Sequence, residues 1–210
     1  MVSARAGLKS GLYNVTKRAG LSPALSLPHP LGVSLAGMPF FQKRLRRPAE
    51  DYRGRRVYFV TVGTERRALF FEEQSTGEWL LRHLLQTAAQ RNFSLHAYCI
   101  MPDHIYFLCE RLSDNSDLVQ FVEAFKHRTA YEFKKTHGQR LWQRRYYDHI
   151  LRPKEVIEDV ACYIWGNPVR KGLCSDPHLY PLSGSQTIEW MKYKFPQTNW
   201  TPPWKPNTPL

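Results

Sequence analysis

A break of only two residues constrains this chain more than any other feature. Leu95 to Met101 and His104 to Cys109 both read as strands, and only Pro102-Asp103, a turn dipeptide, separates them. Strands joined so tightly pair antiparallel, because a parallel return needs a crossover of about a dozen residues. The rest of the chain is arranged around this hairpin. Val57, Phe59 and Thr61 on one side and Tyr58, Val60 and Val62 on the other make a continuous β-forming run, bounded by Gly63. Ser75 to Gln90 carries Trp79, Leu80, Leu84 and Ala88 at helical spacing, with Thr76 as its expected cap. Leu118, Phe121, Val122 and Phe125 open a second helix, which Gly138 ends. Leu141 to Leu151, rich in aromatics, reads as another strand. Pro153 then starts a last helix running to about Asn167, since Pro168 disfavours helical backbone before it. The order β-α-β-β-α-β-α predicts an α+β fold, a ferredoxin-like antiparallel sheet with helices packed on it.

Charge divides the chain unevenly. Lys and Arg number 30 against 18 Asp and Glu, a net +12, which favours an anionic partner, either nucleic acid or an acidic membrane surface. Eight of the basic residues, Arg5, Lys9, Lys17, Arg18, Lys43, Arg44, Arg46 and Arg47, precede the first acid, Glu50. Residues 1–49 therefore read as a basic, disordered extension, broken by Pro23, Pro28 and Pro30. Three accounts of it stay open: an organelle transit peptide, a nucleic-acid-binding arm, or a gene-boundary artefact upstream of Met38. The expected compact domain spans 50–190, and 191–210 is a Pro-rich tail holding Trp200 and Trp204 that either docks on the domain or hangs free. No apolar run approaches the roughly 18 residues of a membrane span. Cys99, Cys109, Cys162 and Cys174 show neither a C-x-x-C pair nor zinc-finger spacing, which reads as plain thiols in a reducing compartment.

Two places could carry chemistry. With a period of two, His104 and Tyr106 point to the same face of the central strand. A histidine opening a strand, beside a second polar ring, can hold a divalent metal or a phosphate oxygen; the plainer reading is a turn hydrogen bond and a core filler. On the last helix, Val156, Ile157, Val160, Ala161 and Ile164 make the buried stripe. Tyr163 lies at roughly 90° to that stripe, and Asn167 is one turn along the same flank. The pair could face a cleft or simply mark the helix boundary. Around these positions Lys126, Arg128, Lys134, Arg140, Arg144 and Arg145 alternate with Trp142, Tyr146 and Tyr147. Cations for phosphates and rings for unpaired bases suit single strands or hairpins, although a solvated helix face and an aromatic strand would look the same.

Taken together, five blocks resemble the small single-tyrosine, HUH-type transposases of the insertion-sequence-200-like kind, in particular the subgroup associated with repetitive extragenic palindromes. The blocks are Tyr58-Phe59-Val60-Thr61, Tyr98 to Tyr106, Leu141 to His149, Tyr163 to Leu173, and Tyr180-Pro181-Leu182-Ser183. The resemblance implies a metal-dependent nickase and strand transferase acting on hairpin-bearing single-stranded DNA. It assigns Tyr163 as the nucleophile that forms a 5′-phosphotyrosine, with Mg²⁺ or Mn²⁺ as cofactor. His104, Asn167 and the position of Tyr106 are the implied metal site; the six cations above, read from their interleaving with aromatic rings, are the expected DNA contacts. A bacterial cytoplasmic protein is implied, with a homodimer as one assembly open to it.

Tyr106 departs from that pattern, because it stands where the resemblance implies a second histidine. A neutral phenol is a far poorer ligand than imidazole for Mg²⁺ or Mn²⁺. The expected outcomes are weak binding through His104, Asn167 and water, recruitment of Asp103 or His149, or a hairpin-binding protein that has lost cleavage. An RNA-recognition domain, a third reading, lacks its K/R-G-F/Y-G/A-F-V-x-F/Y signature, and a serine hydrolase lacks its Gly-x-Ser-x-Gly elbow.

Overall fold

The structure is a computed structural model that describes residues 56–195 and 201–204; the expectations for residues 1–49 lie outside the described residues. The elements are β1 (Val57–Gly63), α1 (Gln74–Gln90), β2 (Phe93–Met101), β3 (His104–Arg111), α2 (Leu118–His137), β4 (Tyr147–Ile150), α3 (Ile157–Trp165), α4 (Asn167–Arg170) and β5 (Ser183–Gly184). One antiparallel sheet runs β4-β1-β3-β2-β5. The expected α+β sheet with helices packed on it is present, with a fifth strand that is only two residues long and so gives no periodic signal.

Both faces of the sheet are covered, which is why its strands read as continuous apolar runs rather than clean alternations. Helices α1 and α2 cover one face, over Tyr58, Val60, Val62, Ile105 and Phe107; α3 covers the other, over Phe59, Cys99, Met101, Tyr106 and Leu108. A bulge between Leu95 and Ala97 flips the parity of β2, so that Leu95 and Ile100 share the first face while Ala97 and Cys99 take the second. Trp165, fully buried, is the hub of the second layer: its Nε1 donates to the Gly184 carbonyl at 3.0 Å and clamps α3 to β5. Burying one such side chain is worth about 3 kcal/mol.

Four local expectations are corrected. The strand placed at 141–151 is ordered as one only over Tyr147–Ile150, with a single bridge from Trp142 to Thr64. Residues 141–144 spend backbone groups elsewhere: Leu141 O accepts from Glu65 N, Gln143 N donates to Gly63 O, and the carbonyls of Gln143 and Arg144 accept from Lys126 Nζ. The last helix begins at Ile157, not Pro153, because Glu155 accepts from Arg152 N and His149 and holds a turn there; Val156 is its extended N-cap and is half exposed. Pro168 does not end helical backbone. It occupies the first turn of α4, where its missing N–H costs nothing. Thr76 lies inside α1, whose N-cap is Glu73 with no side-chain capping bond.

All four cysteines are free thiols, Cys99 and Cys109 buried in the two layers. No helix among the described residues is long and apolar enough to cross a membrane. The described part of the tail docks on the second layer, with Tyr193 and Phe195 against Trp165, and Trp204 edge-on to Phe59 at 6.2 Å.

Candidate active site

The strand parity holds: His104 and Tyr106 project from β3 on the face that α3 covers, in T-shaped contact at 4.6 Å between ring centroids. Tyr163 comes down from α3 to meet them. Its ring lies 6.3 Å from that of Tyr106, and a hydrogen bond joins the two phenols. Three side chains separated by up to about sixty positions in the chain thus share one face, with Tyr106 between the imidazole and the second phenol. Phe59, from β1, floors the group at 5.7 Å from Tyr106 and 6.3 Å from Tyr163.

The turn before His104 is part of the site. The Asp103 carboxylate bonds to His104 Nδ1 and fixes the imidazole, and Arg67 approaches the same carboxylate at 3.3 Å. Arg66 and Arg67 take left-handed backbone, φ 53° and 59°, which is unfavourable for side chains of this size. Thr64 Oγ1 holds that turn by donating to Ala68 O and Asp103 O, both at 2.8 Å. Burial raises the Asp103 pKa, but the bond to His104 and the charges of His104 and Arg67 outweigh it and hold the carboxyl below its usual range.

Arg170 closes the other side. Its Cζ stands 4.5 Å from the Tyr163 ring centroid, and Nη2 donates to the Tyr163 carbonyl. Sequence reasoning quoted this residue within a block and gave it no role; its place seven residues after Tyr163, with Gly166 between, was the available signal. Burial raises the Tyr163 phenol above its ordinary 10.0, while Arg170 and the bond from Tyr106 pull it back. Tyr106 is pushed up further, by burial first and by Tyr163 second, so its hydroxyl keeps its proton at any ordinary pH.

The expected metal ligands fit this surrounding poorly. Tyr106 offers a neutral hydroxyl already bonded to Tyr163. Asn167 Nδ2 donates to the carbonyls of Tyr163 at 2.8 Å and Ile164 at 3.2 Å, capping the end of α3; Oδ1, the only atom an amide offers a cation, is not used in these bonds. His149, an expected recruit, has Nε2 at 2.8 Å from Glu155 and its ring stacked on Trp204 at 3.8 Å. Among the described residues no cluster of three or more His, Cys, Asp or Glu is placed to hold a metal ion. His104, oriented by Asp103 as metal-bound imidazoles usually are, fits the role, and with Asn167 Oδ1 it makes two donors of the expected three.

Three of the six cations lie away from Tyr163. Lys126, Arg128 and Lys134 are on α2, which packs on the opposite face of the sheet. Lys126 is half-buried, donates to the carbonyls of Gln143 and Arg144, and has its pKa lowered by burial and by Arg140. It braces the segment before β4. Arg128 pairs with Glu132 at 3.4 Å and Arg140 with Glu65 at 3.5 Å, while Arg144 and Arg145 are exposed.

On this antiparallel sheet a strand-borne histidine and a helix-borne tyrosine flank one phenol, Tyr106, at 4.6 and 6.3 Å between ring centroids. The family model described as "Transposase IS200 like" matches residues 54–167, more than half of the chain, and the chain belongs to that family. A relative of the REP-associated tyrosine transposase type from Haemophilus influenzae is 26% identical over 139 residues, covering 60% of this chain and 78% of the relative. The REP-associated tyrosine transposase of Escherichia coli strain K12 is 24% identical over 148 residues, 64% of this chain and 84% of that one. Among solved structures, a REP-associated tyrosine transposase bound to a REP hairpin superposes with a TM-score of 0.51 at 22% identity, over 61% of this chain and 75% of the other. That likeness shows the fold.

Proposed function

We propose that this transposase-family chain binds hairpin-bearing single-stranded DNA and cleaves and rejoins it through Tyr163. The observation that carries the reading is the setting of that phenol, half-buried at the edge of α3, bonded to one hydroxyl and flanked by one guanidinium. In the step, Tyr163 Oη loses its proton and forms a bond to phosphorus, and the P–O3′ bond breaks. The 3′ oxygen takes up a proton, leaving a 5′-phosphotyrosine and a free 3′-hydroxyl. The covalent link keeps the phosphodiester's energy, so a second 3′-hydroxyl can reverse the step without a nucleotide cofactor. Because the described donor set does not make the expected metal site, no part of this step is routed through Mg²⁺ or Mn²⁺.

A second reading has its own support. With Tyr106 in place of a second imidazole, the same fold could serve as a hairpin binder that does not cut. One experiment separates them. A pool of hairpin oligonucleotides with randomised single-stranded flanks is first selected for binding, then incubated with the protein in EDTA, Mg²⁺ or Mn²⁺ and run on a denaturing gel. The cleavage reading expects a covalent protein–DNA band that is absent with Tyr163→Phe. Binding without a band in any of the three conditions would establish the non-cutting binder, and a band only with added ion would restore the cofactor.

A further inference from the structure

The guanidinium of Arg170 is held against the ring of Tyr163, 4.5 Å from its centroid. α4 turns the chain back so that Arg170 crosses Gly166 and reaches Tyr163, seven residues earlier. Gly166 is the cradle: a Cβ there would stand 2.7 Å from Arg170 Nη1 and 3.1 Å from the Cys162 carbonyl. Nη2 gives one of its two N–H groups to the Tyr163 carbonyl, which leaves the other to complete the fork, and Cζ sits 4.5 Å from the ring centroid. Among the described residues no carboxylate comes within ion-pairing distance of Arg170, whereas Arg67, Arg111, Arg128 and Arg140 each have one. Its charged surroundings are instead the two phenols of Tyr163 and Tyr106 and the thiol of Cys99. The side chain is nevertheless exposed along one edge.

A fixed guanidinium without an anion, open to solvent on one side and touching an aromatic hydroxyl side chain, is built to receive an anion from outside. Its planar fork matches two phosphate oxygens at once, which a lysine cannot do. We infer that Arg170 receives the non-bridging oxygens of the phosphate that lies beside Tyr163, supplying at that point the positive charge that the departure at Tyr106 removes from the expected metal site. This rests on the reading of the site as one that takes DNA next to Tyr163, and it deepens that reading by naming the contact.

The test uses neutral methylphosphonates. In the Tyr163→Phe protein, dissociation constants are measured for the selected hairpin oligonucleotide with each phosphate in turn replaced by a methylphosphonate. With Arg170 present, one position beside the hairpin is expected to cost about tenfold or more in affinity, the scale of a charge-assisted bond. With Arg170→Ala the unmodified DNA binds about tenfold more weakly, and that same position becomes indifferent. Arg170→Lys, which keeps charge without the fork, and Gly166→Ala, which keeps the fork but displaces it, should each retain part of the sensitivity. All other positions keep their effects in every variant, which separates a lost contact from a damaged fold.

An equal loss at that position with and without Arg170 would overturn the inference. A covalent band from the wild-type chain together with that result would remove Arg170's role alone. An Arg170-dependent position without any covalent band would instead remove the cleavage reading and leave the phosphate contact standing.

Discussion

Replacing Tyr106 by Phe tests the site with the smallest change available. The ring is buried and makes its contacts through carbon: the T-shaped approach to His104 at 4.6 Å, the tilted pair with Phe59 at 5.7 Å and the edge contact with Tyr163 at 6.3 Å. Phe keeps all three. What disappears is one hydroxyl and its bond to the Tyr163 phenol. Tyr163 is partly exposed, so water can stand in for the lost hydroxyl, and the net cost to folding is that of one ordinary hydrogen bond, about 0.5–1.5 kcal/mol. The same energy in the cleavage step is about two- to twelvefold in rate. The bond from Tyr106 also lowers the Tyr163 pKa, so its loss raises that pKa and moves the rising limb of the pH–rate profile to higher pH. Single-turnover formation of the covalent band, measured across pH, reads both effects, and urea unfolding reads the stability. Wild-type rate and an unmoved profile in a stably folded Tyr106→Phe protein would refute the view that this phenol works on Tyr163. Tyr106→His should make band formation respond to Mn²⁺.

Gly77→Ala places a Cβ 2.3 Å from Leu182 Cδ1, within the packed layer under α1; despite Ala's better helix propensity, a loss of about 1–2 kcal/mol is expected in urea unfolding. Burial pushes the Cys99 thiol up from 9.0 to about 12, so between those values the unfolded chain has lost a proton that the folded chain keeps. Stability from this group is therefore whole below pH 9 and falls above it by up to about 1.4 kcal/mol per pH unit; Cys99→Ala should flatten that alkaline slope in thermal melts. Removing exposed Arg144 should reduce the slope of log affinity against log salt by about 0.7 if it meets a single-stranded phosphate, whereas Lys126→Ala should leave the slope unchanged, because its ammonium is spent on two carbonyls.

What the sequence determined on its own is what short-range periodicity can encode. A two-residue turn required the central hairpin, alternation put His104 and Tyr106 on one face, and helical spacing set Tyr163 at the flank of a buried stripe. Motif blocks in order named the family. The local errors came where backbone groups found partners far along the chain: 141–144 bonded to the end of β1 and to Lys126, and Glu155 took the residues assigned to the start of a helix. Tertiary structure alone decided which phenol lies against which, that α2 carries its lysines on the far face of the sheet, that the tail's Trp204 stacks on His149, and that Arg170 folds back across Gly166 onto Tyr163. None of these has a sequence period. Each depends on where separate elements meet in space, and that is set by how two layers of side chains pack on opposite faces of one sheet.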